Sequence, residues 1–319
     1  MMEKIVQFIK KSDHFLLTTH MNADGDAFAS LLAVAYLLEN WEKNYDMVIH
    51  DAAIDDKYSF MWGIDRIKTE GQHPSGPYKA GIILDVPSLH RIGTPASLLP
   101  SPEYCVKIDH HPAEGNIAYF NLEDPEASST SQLIFELIKV SGFRITRDLA
   151  ELIFSGIVYD TGRFSFSNTR QRDFQIAAEL LELGIKPNHI ANRLFFTNSF
   201  ESMKILGYAL SHMELRLNGK LSIIYLPLEI MDKNNHAEIE ELANYSVSIC
   251  GVEVGLFIRE VKPRYFKISF RSKGRVNVNK IARFFGGGGH MHAAGARFSG
   301  DPEVLKSEIV KQVAACLDV

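Results

Sequence analysis

Four short stretches of this chain carry acids and imidazoles in patterns suited to holding metal. His20-Met-Asn-Ala-Asp24-Gly25-Asp26 offers one imidazole and two carboxylates within seven residues, after an apolar run and before a helical one. That mix of nitrogen and oxygen donors suits a divalent ion, although a polar turn with Asp26 as helix N-cap would read the same way. Gly25 is expected to let the backbone fold tightly between the two aspartates. Gly81-Ile-Ile-Leu-Asp85 is a second apolar run ending in an acid. Val106-Lys-Ile-Asp109-His110-His111-Pro112 runs from apolar residues straight into acid and imidazole. Adjacent histidines leaving a strand point different ways, which predicts one ligand and one substrate contact or ligand support. Gly156-Ile-Val-Tyr-Asp160-Thr161-Gly162 ends a helical apolar segment on a fourth acid.

The candidate ligands are therefore His20, Asp24, Asp26, Asp85, His110 and Asp160, with Asp109 and His111 beside them. One ion would leave anionic groups over. Two ions roughly 3.5–4 Å apart, bridged by a carboxylate and a water, would use them all. Without cations, so many converging carboxylates would repel one another strongly. The chemistry this predicts is metal-assisted hydrolysis.

A second signal lies in Phe284-Phe-Gly286-Gly287-Gly288-Gly289-His290-Met-His292-Ala-Ala-Gly295. Consecutive glycines let backbone N–H groups approach an anion closely, the alternative being a flexible linker. Upstream, residues 259–283 hold nine Lys or Arg against one acid, a net of +8 in a chain whose total is −5. The remainder carries −13. Half of these cations are expected to be a solvated face. The others mark an anionic ligand.

Elements must carry these loops. Candidate strands at Phe15–Thr19, Asp46–Ile49, Gly81–Leu84 and Tyr104–Ile108 alternate with helical patterns at Ala27–Glu39, Ser131–Val140, Asp148–Tyr159 and Arg172–Leu183. Such alternation predicts an α/β fold, with an N-terminal, mostly parallel sheet flanked by helices. In sheets of that kind ligands collect outside the carboxyl ends of the strands, where three of the motifs fall. Gly142 and Gly184 stand where two helices should stop. After Gly184 the character changes. Residues 187–213 read as a helical linker opening on Pro187. A smaller mixed α/β domain follows: a hairpin around Asn218-Gly219, strands at Val252–Arg259 and Tyr265–Arg271, and helices at Asn279–Phe285 and Pro302–Leu317. The expected division is 1–186, 187–213 and 214–319.

The motifs, their order and their separations resemble those of the DHH-family phosphoesterases, named for the triplet that stands here as Asp109-His110-His111. The C-terminal part resembles the DHH-associated domain, so the likeness covers nearly the whole chain. It implies that His20, Asp24 and Asp85 hold one ion, and Asp26, Asp85, His110 and Asp160 the other, with Asp85 as bridge. Asp85, Asp109 and His111 would be the catalytic residues. Arg271 and Ser272 match the family's substrate-binding Arg-Ser pair, and Gly287, Gly288, Gly289 and His290 match its glycine-rich motif. Where the family commonly has Pro before the first Asp and Gly early in the next helix, this chain has Ala23 and Ala29, neither a ligand. Donor chemistry favours Mn²⁺, with Mg²⁺ or Co²⁺ as alternatives. The active site is expected between the domains, gripping a short substrate at both ends.

Within the family, RecJ-type exonucleases carry an extra OB-fold, for which 319 residues leave no room, and family II pyrophosphatases lack the glycine-rich nucleotide end. The remaining expectation is the nanoRNase group, acting on short oligoribonucleotides and 3′-phosphoadenosine 5′-phosphate. Cyclic- or linear-dinucleotide phosphodiesterases share the architecture, and a silent nucleotide sensor would need lost ligands, whereas every position is filled. The mild acidity speaks against coating long nucleic acid. No stretch is apolar enough to span a membrane, and Cys105, Cys250 and Cys316 form no pair motif, so the expected setting is a reducing cytoplasm. The oligomeric state, a homodimer included, is left open. His14, His50, His73, His90, His189, His212, His236 and His292 read as packing or surface residues, Trp62, Phe195 and Phe196 as core or domain contacts and not base-stacking platforms, and Arg163 as a weak phosphate candidate.

Overall fold

Phe15–Thr18 (β1), Ala80–Leu84 (β3) and Cys105–Asp109 (β4) are buried at every residue, the pattern of strands covered on both faces. With Tyr45–Met47 (β2) and Phe120–Glu123 (β5) they form a sheet of order β2-β1-β3-β4-β5, every pairing parallel. The protein is described by a computed structural model covering residues 1–69, 71–72, 76–112, 115–230, 239 and 242–317. His73 and His236 lie outside the described residues.

Helices Met2–Lys11 (α1), Gly25–Asn40 (α2), Thr130–Ser141 (α3), Arg147–Asp160 (α4), Gln171–Glu182 (α5) and Pro187–Phe195 (α6) accompany this sheet. Gly142 caps α3 in the left-handed conformation, and Pro187 occupies the first turn of α6, as expected. α2 is apolar nearly all round because it is buried, with α4 packed along it. β5 was not foreseen. Its four half-buried residues alternate Phe, Asn, Leu and Glu, an edge-strand pattern too short to stand out.

The chain divides into two compact units, Met1–Thr197 and Asn198–Val319. In the second, Phe200–Ser211 (α7) leads into Glu214–Arg216 (β6) and Leu221–Leu226 (β7), antiparallel about a turn with positive φ at Leu217, Asn218 and Gly219. Leu242–Tyr245 (α8), Val254–Lys262 (β8), Tyr265–Ser272 (β9), Val278–Phe284 (α9), Gly288–Gly289 (β10), Ala293–Ser299 (β11) and Pro302–Leu317 (α10) complete it. The sheet runs β10-β11-β9-β8-β7-β6, with β7 and β8 its parallel pair. Leu256, Ile258, Ile268 and Phe270 pack under α9 and α10, while Phe257 and Ile224 pack under α7 and α8. Burying each such side chain contributes about 1.5–3 kcal/mol.

Candidate metal centre and substrate residues

β1, β3 and β4 end side by side, and their carboxyl ends deliver His20, Asp85 and the run Asp109-His110-His111. The N-terminus of α2 adds Asp24 and Asp26, and the last residue of α4 is Asp160. His20 Nε2 lies 3.5 Å from Asp85 Oδ2, while His110 Nε2 lies 3.0 Å from Asp160 Oδ2 and 3.6 Å from Asp85 Oδ1. Three sets of donor atoms each fit within 4.8 Å: His20 with Asp24 and Asp85, Asp26 with His110 and Asp160, and Asp85 with His110 and His111. All six candidate ligands are thus gathered at one place.

Local chemistry explains the aim of each side chain. His20 Nδ1 is 3.0 Å from the Met21 carbonyl and His110 Nδ1 is 3.4 Å from the Ala127 carbonyl. A carbonyl only accepts, so both Nδ1 atoms carry hydrogen and both Nε2 atoms face the carboxylates. The helix cap is Asp24, not Asp26, since Asp24 Oδ1 accepts from the N–H groups of Asp26 and Ala27. Asp26 instead accepts from the N–H of Thr130 at 2.7 Å and of Ser131 at 3.0 Å, the open first turn of α3. Thr130 Oγ1 donates to Asp85 Oδ1 at 2.9 Å, and Asp51 accepts from the N–H groups of Asn22 and Ala23 in the His20 loop.

Gly25 serves differently from the expected tight turn. It is helical, and a Cβ there would fall 2.4 Å from the Tyr159 ring. A Cβ at Gly156 would fall 1.9 Å from Ser131 Oγ and 2.4 Å from Asp26 Oδ1. The two glycines let α2, α3 and α4 close on one another so that their carboxylates meet. Asp85 adopts φ +59, a left-handed conformation costing about 1–3 kcal/mol for such a residue.

Residues 14–157 match the DHH family, N-terminal domain, and residues 220–318 match the DHHA1 domain. The chain belongs to the DHH family of phosphoesterases. It is 29% identical over 303 residues to the bifunctional oligoribonuclease and PAP phosphatase NrnA of Bacillus subtilis, covering 93% of each chain. The protein of the same name from Thermus thermophilus is 28% identical over 290 residues, covering 89% of this chain and 84% of that one. An exopolyphosphatase-related protein of Bacteroides fragilis matches in structure with a TM-score of 0.92 and 28% identity, over 100% of this chain and 97% of that one.

DHH-family enzymes depend on divalent metal ions, and the electrostatics of this cluster fit such ions. Burial, then the Asp160 charge, pushes Asp24 up to about 6, and burial with the charges of Asp160 and Asp85 drives Asp26 well above the carboxylate range. Burial would raise Asp85 too, but hydrogen bonds from His111 and His20 hold it well below. The imidazoles resist burial in the same way. Asp85 and Asp24 raise His20 to about 9, and Asp160 and Asp85 raise His110 to about 10. Buried acids that repel one another, facing imidazole nitrogens, are groups that cations would relieve.

The second His of the DHH triplet takes another path. His111 Nδ1 is 2.8 Å from Asp109 Oδ1 and 3.4 Å from Asp85 Oδ1, and these acids outweigh burial to raise it to about 11. Behind Asp109 stands Lys107, a wholly buried lysine in the middle of β4.

In the DHHA1 region the glycine run is neither an open loop nor a linker. Gly288 and Gly289 form β10 against Gly295 and Ala294, and the His290 N–H donates to Ala293 O at 2.7 Å. A Cβ at Gly287 would stand 2.0 Å from Gly295 O, so that glycine serves strand contact, whereas Gly288 has open space. Arg271 Nε donates to Asn244 Oδ1 at 3.0 Å, and the Ser272 hydroxyl lies 2.7 Å from Val276 O and 3.1 Å from His292 Nδ1. His292, read as either packed or exposed, is exposed and lies against Ser272, and His290 is exposed too. Arg163 lies over the Phe195 ring, itself stacked on Tyr159; Phe196 is exposed, and Trp62 packs on Tyr36.

Thr130, Ser131, Asp51, Lys107 and Asn244 were not singled out from the sequence. The run Ala127-Ser128-Ser129-Thr130-Ser131 was a legible cap signal, and Lys107 a legible charge inside an apolar strand.

Proposed function

We propose that this chain is a two-metal phosphoesterase that cleaves short oligoribonucleotides and releases phosphate from 3′-phosphoadenosine 5′-phosphate. These are the activities in the names of its Bacillus subtilis and Thermus thermophilus relatives. The observation that carries the reading is that two donor sets share Asp85, one with His20 and Asp24 and one with His110 and His111, while His110 also belongs to a third with Asp26 and Asp160. His20, Asp24 and Asp85 are assigned to one cation, and Asp26, Asp85, His110 and Asp160 to the other, with Mn²⁺ the best match to the donors. Bound there, the cations supply Lewis acidity that eases the ionisation of water and offsets charge building on phosphoryl oxygens.

The chain's own residues do the rest. Asp85 would be the residue shared by both ions, since its Oδ2 faces His20 and its Oδ1 faces His110. His111, oriented by Asp109, donates a hydrogen bond to the scissile phosphate and supports the departing oxygen. Arg271, Ser272, the backbone of Gly288 and Gly289, and His290 are assigned to substrate binding, a planar guanidinium matching a terminal phosphate, while the Gly287 N–H already donates to Ala282 O. In this reading 1–186 is catalytic, 187–213 a helical linker and 214–319 the substrate-binding part. The unpaired Cys105, Cys250 and Cys316 suit a reducing cytoplasm.

The test is turnover in Mn²⁺ of a labelled RNA dinucleotide, a pentanucleotide, 3′-phosphoadenosine 5′-phosphate, cyclic di-AMP and a long duplex. The dinucleotide and the bisphosphate should be consumed fastest and the duplex left intact. Preference for cyclic di-AMP would replace the substrate assignment, and turnover unchanged in Asp85→Ala would end the two-metal one. Arg271→Ala should raise KM for the dinucleotide about tenfold or more and leave bis-p-nitrophenyl phosphate unaffected.

A further inference from the structure

Lys107 is the charge that the fold has least reason to contain. It sits in β4, between β3 and β5, and none of its side chain is exposed. A buried ion pair is seldom better for stability than apolar residues of similar volume. Here Lys107 Nζ contacts three groups: Glu123 Oε1 at 2.6 Å, Asp109 Oδ2 at 3.2 Å and Pro87 O at 3.3 Å. Asp109 is also wholly buried, and its other oxygen, Oδ1, lies 2.8 Å from His111 Nδ1 and accepts from the His111 N–H at 3.1 Å. Glu123, Lys107, Asp109 and His111 therefore form one line, from the edge strand β5 to the candidate metal centre.

We propose that Lys107, held by Glu123, is a positioning residue that fixes the Asp109 carboxylate and, through it, the ring of His111 against the departing oxygen of the substrate. The geometry requires such a partner. A carboxylate gripped on one oxygen alone can swing about its Cα–Cβ and Cβ–Cγ bonds, whereas the Lys107 charge 3.2 Å from Oδ2, an ion pair without hydrogen-bond geometry, and the His111 hydrogen bond on Oδ1 together restrain both ends of Asp109. Glu123, at the half-buried edge, fixes the ammonium in turn. No role in metal ligation is implied, because an ammonium has no lone pair to offer a cation and Lys107 Nζ contacts only the acceptors Glu123, Asp109 and Pro87 O.

This inference rests on the proposed hydrolysis, and leaving groups separate the two. A ribose alkoxide needs support as it departs, whereas p-nitrophenolate does not. Lys107→Met should lower kcat on an RNA dinucleotide about tenfold or more, with little change on bis-p-nitrophenyl phosphate and none in bound metal. In the metal-free protein, the His111 Nδ1 proton resonance should move upfield as its hydrogen bond to Asp109 loosens. Glu123→Gln, at the accessible end, should show the same selectivity at smaller size and decides the matter if Lys107→Met does not fold. Equal losses on both esters, or an unmoved His111 resonance, would overturn the proposal. Absence of dinucleotide turnover in the unmutated protein would instead overturn the hydrolysis reading.

Discussion

His20 and His110 each have one ring nitrogen tied to a backbone carbonyl, and Asp24, Asp26 and Asp85 each accept fixed hydrogen bonds. In the second unit, Arg271 is half-buried, its Nε on Asn244 Oδ1 and its Nη1 on Phe270 O, and His290 stands exposed beside a two-residue strand. The first region is built before any ligand arrives. The second presents Arg271 from the inner strand β9 and His290 next to the edge strand β10. Chemistry at phosphorus tolerates little misplacement, whereas gripping a terminal phosphate tolerates adjustment of a long guanidinium. The contrast predicts that perturbing the first region changes metal binding and rate, and perturbing the second changes substrate affinity.

The largest expected effect comes from protons. In the metal-free protein His20 titrates near 9 and His110 near 10, both above the ordinary imidazole value. Both must lose a proton to ligate, so metal affinity should rise by about tenfold per pH unit at each site between pH 7 and 9. Calorimetry in buffers of different ionisation enthalpy should register at least the two protons of His20 and His110 released, with the raised Asp26 adding to them. The stability sign follows from the same shifts. Raised imidazoles contribute stability that is complete below about 6.5 and is lost as pH climbs through 9 to 10. The metal-free melting temperature should therefore fall across that window and the metal-loaded one should not. A flat metal affinity across the range would mean the carboxylates do not hold these rings protonated.

A smaller effect isolates one support of the first region. Thr130→Val keeps shape and the N–H bonded to Asp26 but removes the hydroxyl bonded to Asp85. Loss of a support of this kind weakens metal binding about 10–100-fold. Titration with Mn²⁺ should show that loss while thermal unfolding of the metal-free chain changes little. An unchanged affinity would show that the strained Asp85 backbone alone aims the carboxylate.

This hydroxyl also shows where reading the sequence stops. Most strands and helices of the first unit, and the six candidate ligands that gather at one place, were legible because each motif is local, an apolar run ending in acid or imidazole. Asp26 and Ser131, by contrast, are 105 residues apart, and nothing in either neighbourhood announces the bond. The same holds for Gly156, whose missing side chain matters only because Ser131 and Asp26 arrive opposite it. The glycine run was legible as special, but its pairing with Gly295 and Ala294 depends on a partner strand that local spacing does not identify.

That pairing permits the finest test of the second region. Gly287→Ala would drive a methyl group into Gly295 O and Ala296 Cα, backbone atoms that cannot step aside. It should cost about 1–3 kcal/mol of stability, as overpacking does. Gly288→Ala meets only Asn279 Oδ1 at 3.8 Å, so its melting temperature should be indistinguishable from the parent. If the open face of Gly288 is where substrate approaches the backbone, the same methyl group should still raise KM for the dinucleotide several-fold. A silent Gly288→Ala in both assays would confine the glycines to strand packing and leave phosphate capture to Arg271, Ser272 and the histidines beside them.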